Sequence, residues 1–442
     1  MGRRKALSRA LRAMAGSLAL SGAFAAPALA EPETLDQAFR DALQTNPELA
    51  AQQARVEAQR LGIPIAFSEA LPQIVGQANA ERFDRDDPSR RLTGTEVLEE
   101  WRAGGTATQL LYASGRVRAA VSQARAQYRA SRSAFQEATS GLLLDTTRAY
   151  ADVRQTRAAL AAQITTLENL EAQRRYVEAN QKRGFLTLTD VAQADARIAA
   201  SRAQVARARA DVVGATRAFI RIVGRPPGEL GDPPSPEGLP TSLEEAYAAA
   251  ARNRQAVETA RQTVRAADAA VDFARSGGGP RVTLEASSFF DQGFDYPQDD
   301  RIVDDVVAVR LSVPFFSGGA NRARTKQQKA LRSAARLELA LALREVEETV
   351  TNSWAVLEAA RIGREAAAAQ VQAAELAVRG VKREQENGLR SVFEVLDQEQ
   401  TLLDARLALS RADRDVAVAE RQVLFEIGLL SCTNCEPTPR KR

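Results

Sequence analysis

The sequence predicts a mainly α protein with a membrane β-barrel portion, internally duplicated, in which very long helices are joined to four strands per chain. Three observations carry that prediction. Residues 387–428 repeat residues 183–224 at a spacing of 204 positions, each copy a glycine turn, an acidic residue and a long helix. Two helical runs, roughly 115–182 and 320–386, are far longer than a globular core requires. Four short segments alternate apolar and polar side chains with a period of two, as strands facing lipid on one side and water on the other must. Composition agrees, since charged residues make up 26% and aromatic residues only 5%.

The first 30 residues read as a secretory signal, expected to be removed. Arg3, Arg4, Lys5, Arg9 and Arg12 form its basic part, MAGSLALSGAFAAPALA its apolar part, and Ala28-Leu29-Ala30 a small-residue cleavage site before Glu31. That apolar stretch is short and rich in Gly, Ser and Ala, unlike a membrane anchor. Loss of those five basic residues takes Lys+Arg from 60 to 55 against 56 Asp+Glu, and net charge from +4 to −1. The high pI therefore belongs largely to the leader, and no nucleic-acid partner is expected. No later segment has the roughly 20 apolar residues of a spanning helix, so any membrane passage must use strands.

The first repeat is expected over 31–224 and the second over 241–430. Thr34-Leu35-Asp36-Gln37-Ala38 matches Ser242-Leu243-Glu244-Glu245-Ala246 at a spacing of 208, and both are capping boxes. A helix of about 30 residues is expected after each. At the same spacing Pro72-Gln73-Ile74 matches Pro280-Arg281-Val282. Tyr112-Ala113-Ser114-Gly115 then matches Phe316-Ser317-Gly318-Gly319 at 204, so the change falls between the strands, where loops vary. The connector 225–240 holds six of the 17 prolines and cannot be helical.

In the strands, Ile74, Gly76, Ala78 and Ala80 alternate with Val75, Gln77, Asn79 and Glu81, and Trp101, Ala103, Gly105 and Ala107 with Arg102, Gly104, Thr106 and Thr108. Residues 281–287 and 307–313 alternate in the same way. Membrane strands of about 9–11 residues are expected, with Trp101 and Phe289-Phe290 at an interfacial girdle. Four strands cannot close a membrane barrel, and an open edge in lipid is prohibitively costly. Several chains must share one barrel: eight strands in a dimer or twelve in a trimer. Physics leaves that choice open.

The second helices carry a seven-residue seam. Val191, Ile198, Val205, Val212 and Phe219 repeat as Val395, Leu402, Leu409, Val416 and Val423, with Ala194, Ser201, Ala208, Ala215 and Ile222 three residues further on and Ala405, Ala412 and Ala419 in the second copy. Such a repeat imposes a left-handed supercoil, and Ala lets helices approach closely.

No catalytic constellation is present. The chain has no His, hence no Ser-His-Asp triad and no His-ligated metal, and it lacks G-x-x-x-x-G-K-[ST] and G-x-S-x-G. An enzyme is not expected, and no cofactor. Cys432 and Cys435, in the tail 431–442, suit a short-loop disulfide in an exported chain better than a metal site, although the sequence does not decide whether they pair.

The layout resembles the outer membrane efflux protein family, closely its TolC-type branch, over essentially the whole chain after the leader. The resemblance rests on TLDQAFRDALQTNPELAAQQARVEAQR, LSVPFFSGGANRAR, RGFLTLTD and NGLRSVFEVLDQEQTLLDAR, including Asn46–Leu49 and the strand-to-helix corner Pro314–Gly319. No lipid-attachment Cys follows the leader, and RIVGRPPGEL resembles members serving type I secretion. The resemblance implies a homotrimer, with a 12-stranded barrel in the outer membrane lipid and a helical α-barrel, a coiled-coil tunnel, across the periplasm. It implies an exit duct for type I secreted proteins or small toxic compounds. A periplasmic adaptor (membrane fusion) protein would dock on the tip, and an inner-membrane ABC or proton-driven transporter would supply the energy.

The turns at Gly184 and Gly388 would lie at that tip. In the family an Asp on the first turn pairs with an Arg on the second; Asp190, after Thr189, and Arg390 occupy those positions. Gln385 stands where the family has a Tyr, which leaves the salt bridge as the main latch. Glu394 and Asp397 match two acidic entrance residues, with Glu replacing the usual first Asp. On spacing alone they read as solvated helix surface. The matched turn makes them a pore constriction whose acidic rings select cations and bind di- or trivalent blockers. The rival reading, a soluble periplasmic coiled-coil adaptor, lacks a duplicated strand pair.

Overall fold

A computed structural model describes residues 32–85, 96–293 and 302–432. The leader and Cys435 lie outside the described residues; Cys432 is disulfide-bonded. The chain passes through six elements and then through six more of the same kinds. The first set is α1 (Leu35–Thr45), α2 (Pro47–Ser68), β1 (Gln73–Arg85), β2 (Glu96–Tyr112), α3 (Arg116–Lys182) and α4 (Leu188–Val223). The second is α5 (Leu243–Asn253), α6 (Gln255–Ser276), β3 (Arg281–Gly293), β4 (Ile302–Ser312), α7 (Ala320–Glu386) and α8 (Val392–Glu426). α3 and α7 each hold 67 residues, about 100 Å of helix at 1.5 Å per residue.

The single leading helix expected in each repeat is instead broken in two. Pro47 forces Asn46 into an extended conformation, and the Asn46 side chain then caps α2 through the Glu48 and Leu49 N–H groups. Asn46 Nδ2 and Thr45 Oγ1 also donate to the carbonyls of Ile222 and Val223, at 3.4 and 2.9 Å. In the second copy no proline acts. Arg254 leaves the helix, pairs with Glu137 at 3.0 Å and Glu426 at 3.2 Å, and donates to the Phe425 carbonyl. Both breaks set one helix end to end on another: α2 on α4, and α6 on α8.

The wall of the molecule is therefore four staves wide. α3 is flanked by α2 and α4 on one side and by α6 and α8 on the other, and α7 covers the far side of α6 and α8. Long unbroken staves alternate with two-piece ones. Most of the heptad seam is buried, namely Ala194, Ile198, Ser201, Val205, Ala208, Phe219, Val395, Leu402, Ala405, Ala419 and Val423, while Val191, Val212, Ala215, Ile222, Leu409, Ala412 and Val416 are partly buried. Among the described residues no helix covers the outer flanks of α7 and of α2 and α4, and Leu337, Val356, Ile362 and Leu376 of α7 and Ile65 of α2 are exposed.

α1, α5 and the connector form a second layer on one face of this wall. Its core includes Phe39, Tyr150, Val153, Phe219, Val257 and Ile427. The Tyr150 hydroxyl donates to the carbonyls of Glu33 at 2.6 Å and Gly231 at 2.9 Å, and burial pushes its pKa up to about 12. As its prolines demand, the connector is not helical; Leu230 bridges Glu33, and Arg225 holds Glu33 and Asp41.

The four strands form one antiparallel sheet in the order β1-β2-β3-β4. At 11 to 17 residues they are longer than the sequence alone suggested. Trp101 and Phe290 lie on neighbouring strands with ring centroids 5.0 Å apart, which concentrates aromatic surface at one level. Both edges are open and apolar, with Ile74 and Val307 each almost four-fifths exposed. Two left-handed residues in succession turn each strand pair into its long helix: Ser114 and Gly115 (φ 52 and 82), then Gly318 and Gly319 (φ 57 and 81). Among the described residues no helix is long and apolar enough to cross a membrane.

Candidate functional site at the hairpin tips

The far ends of α3–α4 and α7–α8 are two tight hairpins built on one plan. Gly184 and Gly388 take φ 79 and 74, and the residue after each donates back to a carbonyl near the helix end (Phe185 to Asn180, Leu389 to Glu384). This is a left-handed helix stop, which glycine allows without steric cost. Three residues beyond each glycine the next helix opens on a capping box. The Thr187 N–H and hydroxyl both donate to Asp190 Oδ2 at 2.8 Å. The Ser391 N–H and hydroxyl donate to Glu394 Oε2 at 2.8 and 3.0 Å. Asp190 and Glu394 are thus the same residue of the two repeats, 204 positions apart. Both hold a helix start.

Arg390 lies on the surface of its own hairpin. Its Nε reaches Glu384 at 2.9 Å and its Nη1 reaches Glu394 at 2.6 Å. The Asp190–Arg390 salt bridge expected from the sequence is not made within the chain, because each partner is held by nearer groups of its own turn. Donation from the Ser391 N–H, then Arg390, then the Ser391 hydroxyl brings the Glu394 pKa down to about 2. Thr189 and Asp397 are exposed, and the Asp397 carboxylate has no hydrogen-bond or ion-pair partner among the described residues. Phe185, Leu188, Leu389 and Phe393 are exposed around the two turns.

Gln385 joins the repeats. It is buried, and its Oε1 accepts from Gln173 Nε2 of α3 at 2.9 Å, while its own Nε2 is buried without a partner among the described residues. One turn away Glu399 of α8, 3% exposed, takes Lys382 of α7 as an ion pair and a hydrogen bond from Asn169 of α3 at 3.2 Å. Sequence reasoning missed Asn169, Gln173, Lys382 and Glu399. The available signal was Glu399 beside the seam residues Val395 and Leu402, on the flank that a third helix would cover.

A wall of parallel staves, with an open-edged apolar sheet at one end and polar hairpins at the other, is the subunit of a helical-tunnel membrane channel. This chain belongs to the outer membrane efflux protein family, whose model matches residues 38–225 and 246–428. It is 30% identical over 421 residues to the outer membrane efflux protein BepC of Brucella suis, covering 95% of this chain and 90% of that protein. It is 26% identical over 428 residues to the outer membrane protein TolC of Vibrio cholerae, covering 90% and 91%. The structure of the CmeC outer membrane channel of Campylobacter jejuni has the same fold, with a TM-score of 0.79 at 17% identity over 90% of this chain and 86% of that one. The protein is a channel component of an export system, not an enzyme and not a soluble adaptor.

Proposed function

We propose that three copies close into one duct: a 12-stranded barrel in the outer membrane and a 12-stave tunnel reaching across the periplasm. The chain would reach that membrane after removal of residues 1–30, as the two repeats 31–224 and 241–430 joined by the connector 225–240. The observation that carries this reading is the pair of free flanks. Inside the chain, the long stave α3 of the first repeat packs on the split stave α6–α8 of the second. Among the described residues the long stave of the second repeat, α7, has no such partner, and neither has the split stave α2–α4 of the first. A neighbouring copy supplies both at once, and it pairs β4 with β1 so that no sheet edge meets lipid. Repetition of one interface around an axis closes a ring.

The hairpin tips then surround the periplasmic entrance. Glu394 and Asp397 form the constriction, a ring of acidic charge that attracts cations and holds di- or trivalent blockers. Thr189, Asp190, Gln385 and Arg390 form the latch, with Arg390 reaching Asp190 of the next subunit in exchange for Glu384 or Glu394. Exposed Phe185, Leu188, Leu389 and Phe393 beside Gly184 and Gly388 suit a periplasmic adaptor that links the duct to an ABC or proton-driven transporter. The test is single-channel recording in planar bilayers. The full protein should insert and conduct weakly, Arg390→Ser should conduct severalfold more, and Glu394→Ala with Asp397→Ala should lose trivalent-ion block. A protein that never inserts would overturn the duct, and unchanged traces in the variants would overturn the gate.

A further inference from the structure

The first turns of α3 carry Arg118, Ser122, Arg125 and Arg129, all exposed and on one helical stripe. α3 is covered on both flanks by helices of its own chain, so this stripe can only face the tunnel or the outside. Helical periodicity decides which. In the seven-residue register of the wall, 35 residues are ten turns and 21 are six, which aligns Arg118 with Val153, Arg125 with Thr146 and Arg129 with Tyr150. All three are buried, and the Tyr150 hydroxyl bonds the Glu33 and Gly231 carbonyls of the second layer. The stripe therefore continues the face that carries α1 and the connector. An added layer inside a closed wall would obstruct the duct, so that face is the outer one.

Beside the stripe, α3 and α6 border a cleft of about 690 Å³ lined by Arg118, Ser122, Arg265 and Arg275 and by the acids Asp268 and Asp272. A second cleft of about 600 Å³ adds Arg125, Arg129 and Phe67. The local acids are already engaged: Asp268 by Arg332 and Arg336, Asp272 by Arg275, Glu69 by Arg116. Arg118, Arg125, Arg129 and Arg265 have no ion pair or hydrogen bond among the described residues. The second repeat carries the same stripe 204 positions on, as exposed Arg322, Lys326 and Lys329.

Directly beyond the stripe, at the strand-to-helix corners, Tyr112, Phe315 and Phe316 are exposed. Apolar strands, then aromatic rings, then unneutralised cations is the order in which a bilayer passes from hydrocarbon to headgroup. Arg118 is within about 5 Å of the helix start and Arg125 within about 14 Å, against a headgroup layer of about 6 Å and a Debye length of about 8–10 Å.

We propose that this basic collar binds the phosphates of anionic phospholipid in the leaflet on the helical side, with Arg118 and Arg265 in the cleft and Arg125 and Arg129 holding a second, more diffuse layer. The proposal rests on the membrane reading of the sheet, and the experiment separates the two. The full protein is reconstituted with equal phosphatidylglycerol and phosphatidylcholine, washed in detergent, and its retained lipids are quantified by mass spectrometry. Basic residues at a membrane surface are worth roughly fivefold in affinity each. We expect phosphatidylglycerol enrichment of at least about tenfold in the wild type, a severalfold fall with Arg118→Gln, Arg125→Gln and Arg129→Gln combined, because the other basic residues remain, and retention with the three Lys replacements. Should the Gln triple fail to accumulate, wild-type enrichment must still fall as salt rises. Equal retention of the two lipids, salt-independent enrichment, an unaffected Gln triple, or displacement by inorganic phosphate as complete as by added phosphatidylglycerol would overturn the collar. A wild type that enters neither lipid would overturn the membrane reading along with it.

Discussion

At the tip of α3 and α4, Asp195 pairs with Arg174 in the open, its side chain half exposed. At the tip of α7 and α8, the equivalent Glu399 is sealed under α3, with Lys382 on one side and Asn169 on the other. The local plan is the same in both: glycine stop, capping box, long seam. What differs is the neighbour. α8 has a third helix of its own chain against it, whereas the corresponding flank of α4 is uncovered among the described residues and meets another subunit only in the trimer proposed above. Residues 204 after Asn169 and Gln173 are Ala373 and Ala377, so the helix arriving there cannot repeat the amide contacts. Duplication builds equivalent staves, and the few unmatched side chains make one hairpin of each pair more firmly held than the other. A gate needs such a difference, since one element must stay while its partner moves.

The largest consequence falls on the buried pair. Lys382→Met leaves Glu399 buried with Asn169 alone, and it should cost about 2 kcal/mol, less than a fully buried pair because Lys382 is partly exposed. Arg174→Met, at the exposed counterpart, should cost less than about 1 kcal/mol. Chemical unfolding in detergent measures both, and equal losses would erase the distinction between the tips. Next come the caps. Ser391→Ala and Thr187→Ala should each cost about 1 kcal/mol by the same measurement, because the two capping boxes make the same three hydrogen bonds. A large disparity would mean that the boxes are not equivalent.

The smallest effect is a pH window. Glu394 has its carboxyl drawn from an ordinary 4.5 to about 2 in the folded chain. Its stabilising contribution is then fully present above about pH 4.5 and is lost as pH falls toward 2. Stability followed by tryptophan fluorescence should decline through that interval, and Glu394→Gln should flatten the decline there while leaving the curve above pH 5 unchanged in shape. A variant that kept the full acid-side slope would assign the titration to other carboxylates.

Much of the architecture was legible because it rests on local rules. Glycine and proline punctuation placed the ends of α3 and α7 within a residue or so, and period-two alternation found all four strands. The breaks at Asn46 and Arg254 were harder. Asn46-Pro47 carries a visible signal, but Arg254 leaves its helix to meet Glu137, Glu426 and the end of α8, which no local reading reveals. At the site, resemblance assigned Asp190 and Glu394 different roles although their spacing already marked them as repeat equivalents. Within the single chain Arg390 bonds Glu384 and Glu394, the latter four residues along one helix start, contacts that the resemblance did not include. Glu399 was invisible because its burial comes from a helix more than two hundred residues away.

The central claim is that the α3-to-α8 interface recurs between subunits. Within the chain Arg414 donates to Asp152 at 2.8 Å; the positions 204 away are Val356 on α7 and Ala210 on α4, both exposed in the single chain. Val356→Cys combined with Ala210→Cys, treated in membranes with a short thiol-reactive crosslinker, should give a closed covalent trimer, while either variant alone stays monomeric on denaturing gels. Absence of intersubunit product from the double variant, with efficient labelling of both thiols, would contradict the ring.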